Sequence, residues 1–275
     1  MRKQNAESLI APAKARLTEV FPQYAELIAD TPVYLLTSTD KADKRNKIAE
    51  ELSAPKRYDL CDTAGMTIVG VERYAVIMFY PDINDYEFTH FLYHEFGHVI
   101  SIYACRELSD EAQNDYDLKK DTPLCSGQSV WSELIAEAIA YRVEDGPPSA
   151  ISWDATDRIR KWMDEAVNSG YFQSYPFAFY LAMFFEDPTI IAYLYRHPNA
   201  AVGAEHCDDE IMPLIEAALC VPRDQLSEDE YWIISRQRLI EFGNCVNDLW
   251  DYCAEKQRNK AIEQFKKYLH MDSTQ

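Results

Sequence analysis

The chain has 275 residues, of which 47% are hydrophobic and 27% are charged, a composition typical of soluble globular proteins with a sizeable core. Its formal net charge is −19. Binding to nucleic acid without sequence preference relies on Lys and Arg side chains that neutralise phosphates, so this acidity argues against a nucleic-acid partner. The charge is compatible with a cationic peptide substrate or a basic partner, although acidity more often serves solubility.

The cysteines and the N-terminal residues bear on the cellular compartment. The seven cysteines are odd in number and contain no C-x-x-C pair, which predicts reduced thiols in a cytoplasmic protein. The first residues lack the apolar segment of a secretion signal, and no uninterrupted apolar run is long enough to span a bilayer. We therefore expect no membrane partner. The sequence does not determine the oligomeric state.

The N-terminal half combines helical and strand patterns. In chain order these predict a helix from Glu7 to Ala29 interrupted near Pro22, a strand at Pro32–Thr37, a charged helix at Lys41–Leu52, strands at Thr67–Val71 and Tyr74–Tyr80, a long helix from about Asp85 to Arg106, a loop with some helix at Glu107–Gln128, and a helix at Trp131–Val143. We expect the strand before the long helix to lie at the edge of its sheet, where unpaired backbone groups accept an extended peptide.

The C-terminal half contains only helical patterns. After the turn residues Asp145-Gly146-Pro147-Pro148, helices are predicted at Trp153–Asn168, Pro176–Glu186, Thr189–Tyr195 and Asp208–Leu219, followed by two or three helices within Ser227–Leu269. We therefore predict an α+β fold. Its small mixed N-terminal lobe spans residues 1–145, and its mainly helical C-terminal lobe spans residues 146–275.

The long predicted helix contains His94-Glu95-Phe96-Gly97-His98, which matches the pattern H-E-x-x-H. Histidines four positions apart lie above one another on one helical face, so their imidazole nitrogens can reach one metal ion. Zn²⁺ favours such ligands and leaves one position open in hydrolytic sites, where Glu95 then serves as general base. The motif predicts metal-assisted hydrolysis.

The surroundings of the motif argue against a surface helix with two unrelated histidines. Apolar side chains recur at helical spacing, at Phe88, Phe91, Leu92, Phe96, Val99, Ile100 and Tyr103. Asp82, Asn84 and Asp85 are candidate helix caps. Charged histidines near this apolar stripe would be costly, whereas neutral metal-bound imidazoles would not.

A third protein ligand is needed, and the next strong helix offers two candidates. Glu133 and Glu137 are four residues apart, hence on one helical face, and the positions around them are mostly apolar. Two carboxylates there would repel each other and be costly to bury. A metal resolves this if one carboxylate binds it and the other accepts a hydrogen bond from a ligating histidine.

With these residues the chain resembles the gluzincin clan of zinc metallopeptidases. The pattern Ser132-Glu133-x-x-Ala136-Glu137 is similar to N-E-x-x-S-D of thermolysin, to E-x-x-A-D of prenyl-protein endopeptidases and to E-x-x-A-N of phage-repressor-cleaving peptidases. This resemblance implies that Glu133 binds zinc and Glu137 orients a histidine. In a second register, Glu137-Ala138-Ile139-Ala140 resembles E-G-x-A of gluzincin aminopeptidases and makes Glu137 the ligand. We favour Glu133, because only that register supplies an acid behind the ligands.

Two departures from the clan limit what the resemblance implies. The interval between His98 and Glu133 is longer than in thermolysin. The glycine-rich motif of the exopeptidases is absent, and because of this absence we expect an endopeptidase. The stretch Tyr175–Leu181 resembles the aminopeptidase helix start whose tyrosine donates to the oxyanion, with Ala178 in place of glycine. Tyr175 is therefore a candidate catalytic residue. Packing of its ring at a helix start is an equal alternative, and the next candidates are Tyr141, Tyr180 and His206.

The sequence thus predicts a cytoplasmic zinc metallopeptidase that acts on a peptide or protein. The alternative is a catalytically silent module that keeps the fold and acts through its helical C-terminal lobe; a structural protein with an accidental motif is the third hypothesis. His90, one turn before His94, is expected to pack or to lie behind the ligands, since a helix curves away from a single point over two turns.

Overall fold

The computed structural model of the chain has the α+β fold predicted from sequence. It describes residues 2–37, 41–54, 64–81, 83–118, 120, 122–144, 211–226 and 228–272. The predicted helices at Trp153–Asn168, Pro176–Glu186 and Thr189–Tyr195 lie outside these residues. Among the described helices, none combines the length and the apolar character that crossing a bilayer requires.

The chain divides into two compact units. The first comprises Met1–Cys105 and Ile135–Gly146, and the second comprises Arg106–Leu134 and Pro147–Gln275. Residues 106–134 therefore group with C-terminal residues, whereas the sequence analysis assigned them to the N-terminal lobe. The predicted boundary at residues 145 and 146 lies outside the described residues and stays a prediction.

The first unit contains a three-stranded sheet and the helices around it. Its elements are α1 (Lys3–Val20), a 3₁₀ turn (Pro22–Tyr24), α2 (Ala25–Asp30), β1 (Val33–Leu36), α3 (Lys41–Glu51), β2 (Gly65–Val69), β3 (Tyr74–Phe79) and α4 (Asp85–Ala104), joined by the C-terminal half of α6 (Pro123–Val143). The interruption near Pro22 follows the prediction, since proline lacks the amide hydrogen that a continuing helix needs.

The strand before the long helix is central, so the prediction of an edge strand was wrong. The strand order is β1-β3-β2, with β3 parallel to β1 and antiparallel to β2. All six residues of β3 are buried, as expected for a strand covered on both faces and paired on both sides. Within the described sheet, β1 and β2 form the edges.

The two faces of the sheet pack against different helices. Ile68 on β2, with Ala75 and Ile77 on β3, belongs to an apolar cluster that includes Ile48 and Ala49 of α3. Because side chains alternate along a strand, the neighbouring residues of β2 point to the other face, toward α4. This alternation directs one face of β2 at the H-E-x-x-H helix.

Helix α4 begins with a reciprocal cap. The Asn84 side chain accepts a hydrogen bond from the Glu87 backbone N–H, and the Glu87 carboxylate accepts one from the Asn84 backbone N–H, both at 2.9 Å. These bonds satisfy donors that a helix start leaves unpaired. Asn84 is therefore confirmed as a cap of α4, whereas Asp82 lies outside the described residues.

The second unit is helical in its described residues. It contains α5 (Arg106–Asp117), the N-terminal half of α6, α7 (Ile211–Leu226) and α8 (Arg236–Asp272). The predicted loop at Glu107–Gln128 is mostly helix in its described residues. Apolar side chains recur along α5 at Leu108, Ala112 and Tyr116, but most other positions carry charged or amide groups, and polar pairs such as Arg106–Asp110 and Gln113–Asp117 add to its stability. Likewise, the described residues of the stretch Ser227–Leu269 contain one long helix in place of the predicted two or three.

Candidate metal centre

The H-E-x-x-H helix and the Glu133/Glu137 helix cross closely at two small residues. Gly97 lies between the motif histidines, and Ala136 lies between the glutamates. A Cβ atom added at Gly97 would lie 2.6 Å from the Ala136 Cα, closer than any real Cβ contact. The missing side chain therefore lets α4 approach α6 and brings the histidines next to the glutamates.

This crossing groups three potential ligands. One ligand atom each of His94, His98 and Glu133 lies within 4.8 Å of the other two. His94 is buried and the other two are half-buried. The imidazole centroids lie 4.8 Å apart with the rings nearly perpendicular. Two imidazole nitrogens and one carboxylate oxygen are the donor set of hydrolytic zinc sites, which leave a fourth position open, so the residues present fit Zn²⁺.

Glu137 lies behind the ligand set. Its Oε2 accepts a hydrogen bond from His94 Nδ1 at 2.8 Å, and its Oε1 lies 3.1 Å from His90 Nε2. Because a carboxylate accepts only, His94 donates through Nδ1, and in the neutral ring the Nε2 lone pair is then the one that could bind a metal. Both oxygens of Glu137 are engaged in this way, which favours the register with Glu133 as the ligand.

Glu137 remains ionised although it is almost completely buried. Burial raises the pKa of Glu137, but hydrogen bonds from His90 and His94 outweigh burial and lower the pKa to about 2. The nearby Tyr141 hydroxyl is also buried. Burial, the Glu137 charge and a hydrogen bond to Glu137 raise the pKa of Tyr141 far above its ordinary value. Tyr141 is thus a neutral donor to Glu137, which makes it a poor candidate for the oxyanion donor.

Glu95 is held by two residues of β2. The Thr67 hydroxyl lies 2.8 Å from both Glu95 Oε2 and the Glu95 backbone oxygen. A Cβ atom added at Gly65 would lie 2.8 Å from the Glu95 carboxylate. The sheet therefore leaves space for the carboxylate and supplies a hydrogen-bond donor to it. Glu95 directly follows the potential ligand His94 in the chain, and a buried carboxylate that accepts a hydrogen bond there is suited to general-base chemistry.

The structure adds residues that the sequence analysis did not assign and leaves others open. Tyr175, Tyr180 and His206 lie outside the described residues, so their roles stay predictions. Thr67 was missed, although its signal was a polar residue in an otherwise apolar strand. Glu144 contacts His90 and was missed as well; it directly follows the last residue of α6, two helical turns after Glu137.

Compared with known proteins, the chain matches no protein-family model, no curated protein and no solved structure.

Proposed function

We propose that this protein is a zinc-dependent metallopeptidase of the gluzincin type, an endopeptidase with Glu95 as general base. The observation that supports the proposal best is the grouping of His94, His98 and Glu133 next to a buried Glu95. A mixed nitrogen and oxygen set beside a buried carboxylate is the arrangement that metal-assisted hydrolysis needs.

In the proposed reaction, zinc supplies the polarisation of the scissile carbonyl and a lowered pKa for the attacking water. Glu95 accepts one proton of that water as the water oxygen bonds to the carbonyl carbon. The carboxyl group then gives this proton to the amide nitrogen, and the carbon–nitrogen bond breaks. The products are a new carboxyl terminus and a new amino terminus. Thr67 keeps one oxygen of Glu95 in place through both proton transfers.

The sheet offers a place for an extended substrate. In the described sheet, β2 is an edge strand, and its residues Gly65 and Thr67 lie beside Glu95. We propose that a peptide adds along β2, where backbone hydrogen bonds supply affinity without fixing the side chains. This assigns to β2 the role that the sequence analysis gave to the strand before α4.

The proposal also includes a cytoplasmic location and a residue that donates a hydrogen bond to the oxyanion. Cys105, Cys125, Cys220 and Cys245, among the described cysteines, form no disulfide, in keeping with a cytoplasmic protein. Tyr175 remains the proposed donor to the oxyanion.

The test compares the parent with Glu95→Gln, which keeps the shape of the side chain and removes its basicity. Zinc content is measured by elemental analysis, and cleavage is measured on a library of quenched fluorescent peptides. We expect stoichiometric zinc in both proteins and cleavage only by the parent. Glu107→Gln on α5, an exposed position, is the matched control and should cleave as the parent does.

The outcomes separate the hypotheses. A parent without zinc contradicts the proposal. Stoichiometric zinc with no cleavage in any library would instead favour the catalytically silent binding module. Cleavage by Glu95→Gln at the parent rate would remove Glu95 from the mechanism.

A further inference from the structure

His90 connects two acids behind the candidate metal centre, the buried Glu137 and the half-buried Glu144. It lies one helical turn before His94 on α4, and its side chain is 12% exposed. His90 Nε2 lies 3.1 Å from Glu137 Oε1, and His90 Nδ1 lies 3.1 Å from Glu144 Oε2. The imidazole thus has one carboxylate at each nitrogen.

Two carboxylates can be satisfied by one imidazole only if both ring nitrogens carry hydrogen. A neutral imidazole has one donor and one acceptor, and an acceptor nitrogen facing a carboxylate would be repelled. The doubly protonated imidazolium donates to both acids and places a positive charge between two negative ones.

The electrostatics agree with this geometry. Burial lowers the pKa of His90, but hydrogen bonds to Glu137 and Glu144 outweigh burial and raise the pKa to about 9. His90 is therefore charged at neutral pH, which sets it apart from the neutral imidazoles that bind metals.

Glu137 connects this charge to the ligand set. Its Oε1 receives the hydrogen bond from His90, and its Oε2 receives the one from His94 Nδ1. Without the first bond, Glu137 would keep its bonds to His94 and Tyr141 but would rotate more readily. Rotation would take from His94 the acceptor that orients its ring toward a metal.

We infer that His90 is a positioning residue: as an imidazolium between Glu137 and Glu144, it fixes the Glu137 carboxylate in the orientation that makes His94 a metal ligand through Nε2. The inference rests on the zinc site proposed above. It adds His90 and Glu144 behind Glu137, so that a chain of hydrogen bonds runs from Glu144 through His90 and Glu137 to His94.

The first test concerns the metal-free protein and needs no activity. Nitrogen-15 NMR of histidine-labelled protein at neutral pH reports whether each ring nitrogen carries hydrogen, and His90→Gln assigns the His90 signals by their loss. We expect both His90 nitrogens to be protonated. A neutral ring with a single N–H would overturn the inference.

The second test measures zinc affinity by competition with a chelator, using His90→Gln, Glu137→Gln and the double variant. His90→Gln should weaken binding by about 10-fold, the lower end of the range for residues behind metal ligands. Because His90 acts through Glu137, the double variant should bind zinc no more weakly than Glu137→Gln alone. The control is Thr89→Ala, whose hydroxyl bonds only to its own helix at Asp85 in the contacts described; its affinity should equal that of the parent.

These results separate the two proposals. Additive losses in the double variant, with tight zinc binding by the parent, would overturn the positioning role and leave the zinc site standing. A parent that binds no zinc would overturn the proposed function and the positioning of a ligand with it. Thermal unfolding of each variant shows whether it is folded under the assay conditions.

Discussion

The hydroxyl of Thr67 shows how a single residue of the sheet constrains the proposed general base. It lies 2.8 Å from the Glu95 carboxylate, and Gly65 leaves the space that this carboxylate fills. Neither residue is in the H-E-x-x-H motif. A hydrogen bond from a hydroxyl to a charged group contributes about 1.5–3 kcal/mol, enough to matter for a proton transfer.

Thr67→Val removes this hydroxyl while keeping the branched shape of the side chain. We expect kcat to fall by about 10-fold, since about 1.4 kcal/mol corresponds to a factor of ten in rate. Zinc content should not change, because Thr67 does not touch the ligands in the contacts described. Steady-state kinetics on a cleavable peptide are the measurement, and Thr67→Ser should restore most of the rate. Equal loss in the Val and Ser variants would show that packing matters and the hydroxyl does not.

The two glutamates of α6 differ in their expected contribution to zinc affinity. Glu137→Gln should weaken zinc binding by about 10–100-fold, as losses behind the ligands do. Glu133→Gln removes the proposed ligand and should lower zinc affinity considerably more. Chelator competition gives both constants. Equal effects, or the reverse order, would transfer the ligand role to Glu137 and restore the second register.

At the scale of helices and strands, the site depends on how closely α4 and α6 approach. Gly97 and Ala136 are the contact point, and each lies between two of the functional residues of its helix. In an ordinary helix interior, replacing glycine by alanine stabilises by about 1 kcal/mol. At this crossing a Cβ atom would meet backbone atoms, which cannot rotate away.

Helix propensity alone predicts that Gly97→Ala raises the free energy of unfolding, whereas the close crossing predicts that it lowers it. We expect destabilisation by about 1–3 kcal/mol, the usual cost of overpacking, together with weaker zinc binding as the helices separate. Chemical denaturation of the metal-free protein measures the first effect, and chelator competition measures the second. A stabilised variant with unchanged zinc affinity would contradict the close crossing.

At the scale of the whole molecule, stability should depend on pH through His90. Among the described residues, the titratable groups that face its ring are Glu137 and Tyr141 on α6, Glu144 directly after α6, and Tyr86 on its own helix. Burial raises the pKa of both tyrosines, and nearby carboxylate charges add to the shift, so both remain neutral where His90 titrates.

The pKa of His90 is raised from 6.5 to about 9 on folding. A raised pKa contributes stability that is complete below the unfolded value and is lost as pH rises through the folded value. The free energy of unfolding of the metal-free protein should therefore fall between about pH 6.5 and pH 9, by up to about 3 kcal/mol. Urea denaturation across this range measures it, and the difference between the parent and His90→Gln isolates His90 from other titrating groups. If the difference in the free energy of unfolding between the parent and His90→Gln did not change with pH, the raised pKa of His90 would be contradicted.

Local sequence patterns determined much of this protein. The H-E-x-x-H spacing and the apolar stripe predicted α4, because helical periodicity is a local property. The strands at Val33–Leu36 and Tyr74–Phe79 and the start of α4 at Asn84 were predicted within a few residues. The polar helix α5 was not, because its short apolar row of Leu108, Ala112 and Tyr116 lies among charged and amide residues whose composition is typical of a loop.

Only the tertiary structure decided which residues meet. The sequence left Glu133 and Glu137 as alternative ligands, since both lie on one face of α6; the crossing at Gly97 and Ala136 groups Glu133 with the histidines and engages Glu137 with His90 and His94. The sequence pattern likewise did not predict the strand order, because the pairing of β3 with β1 and β2 depends on contacts between distant segments. A sequence specifies periodicity and chemistry along the chain, whereas the partner of each buried polar group depends on the packing of elements far apart in that chain.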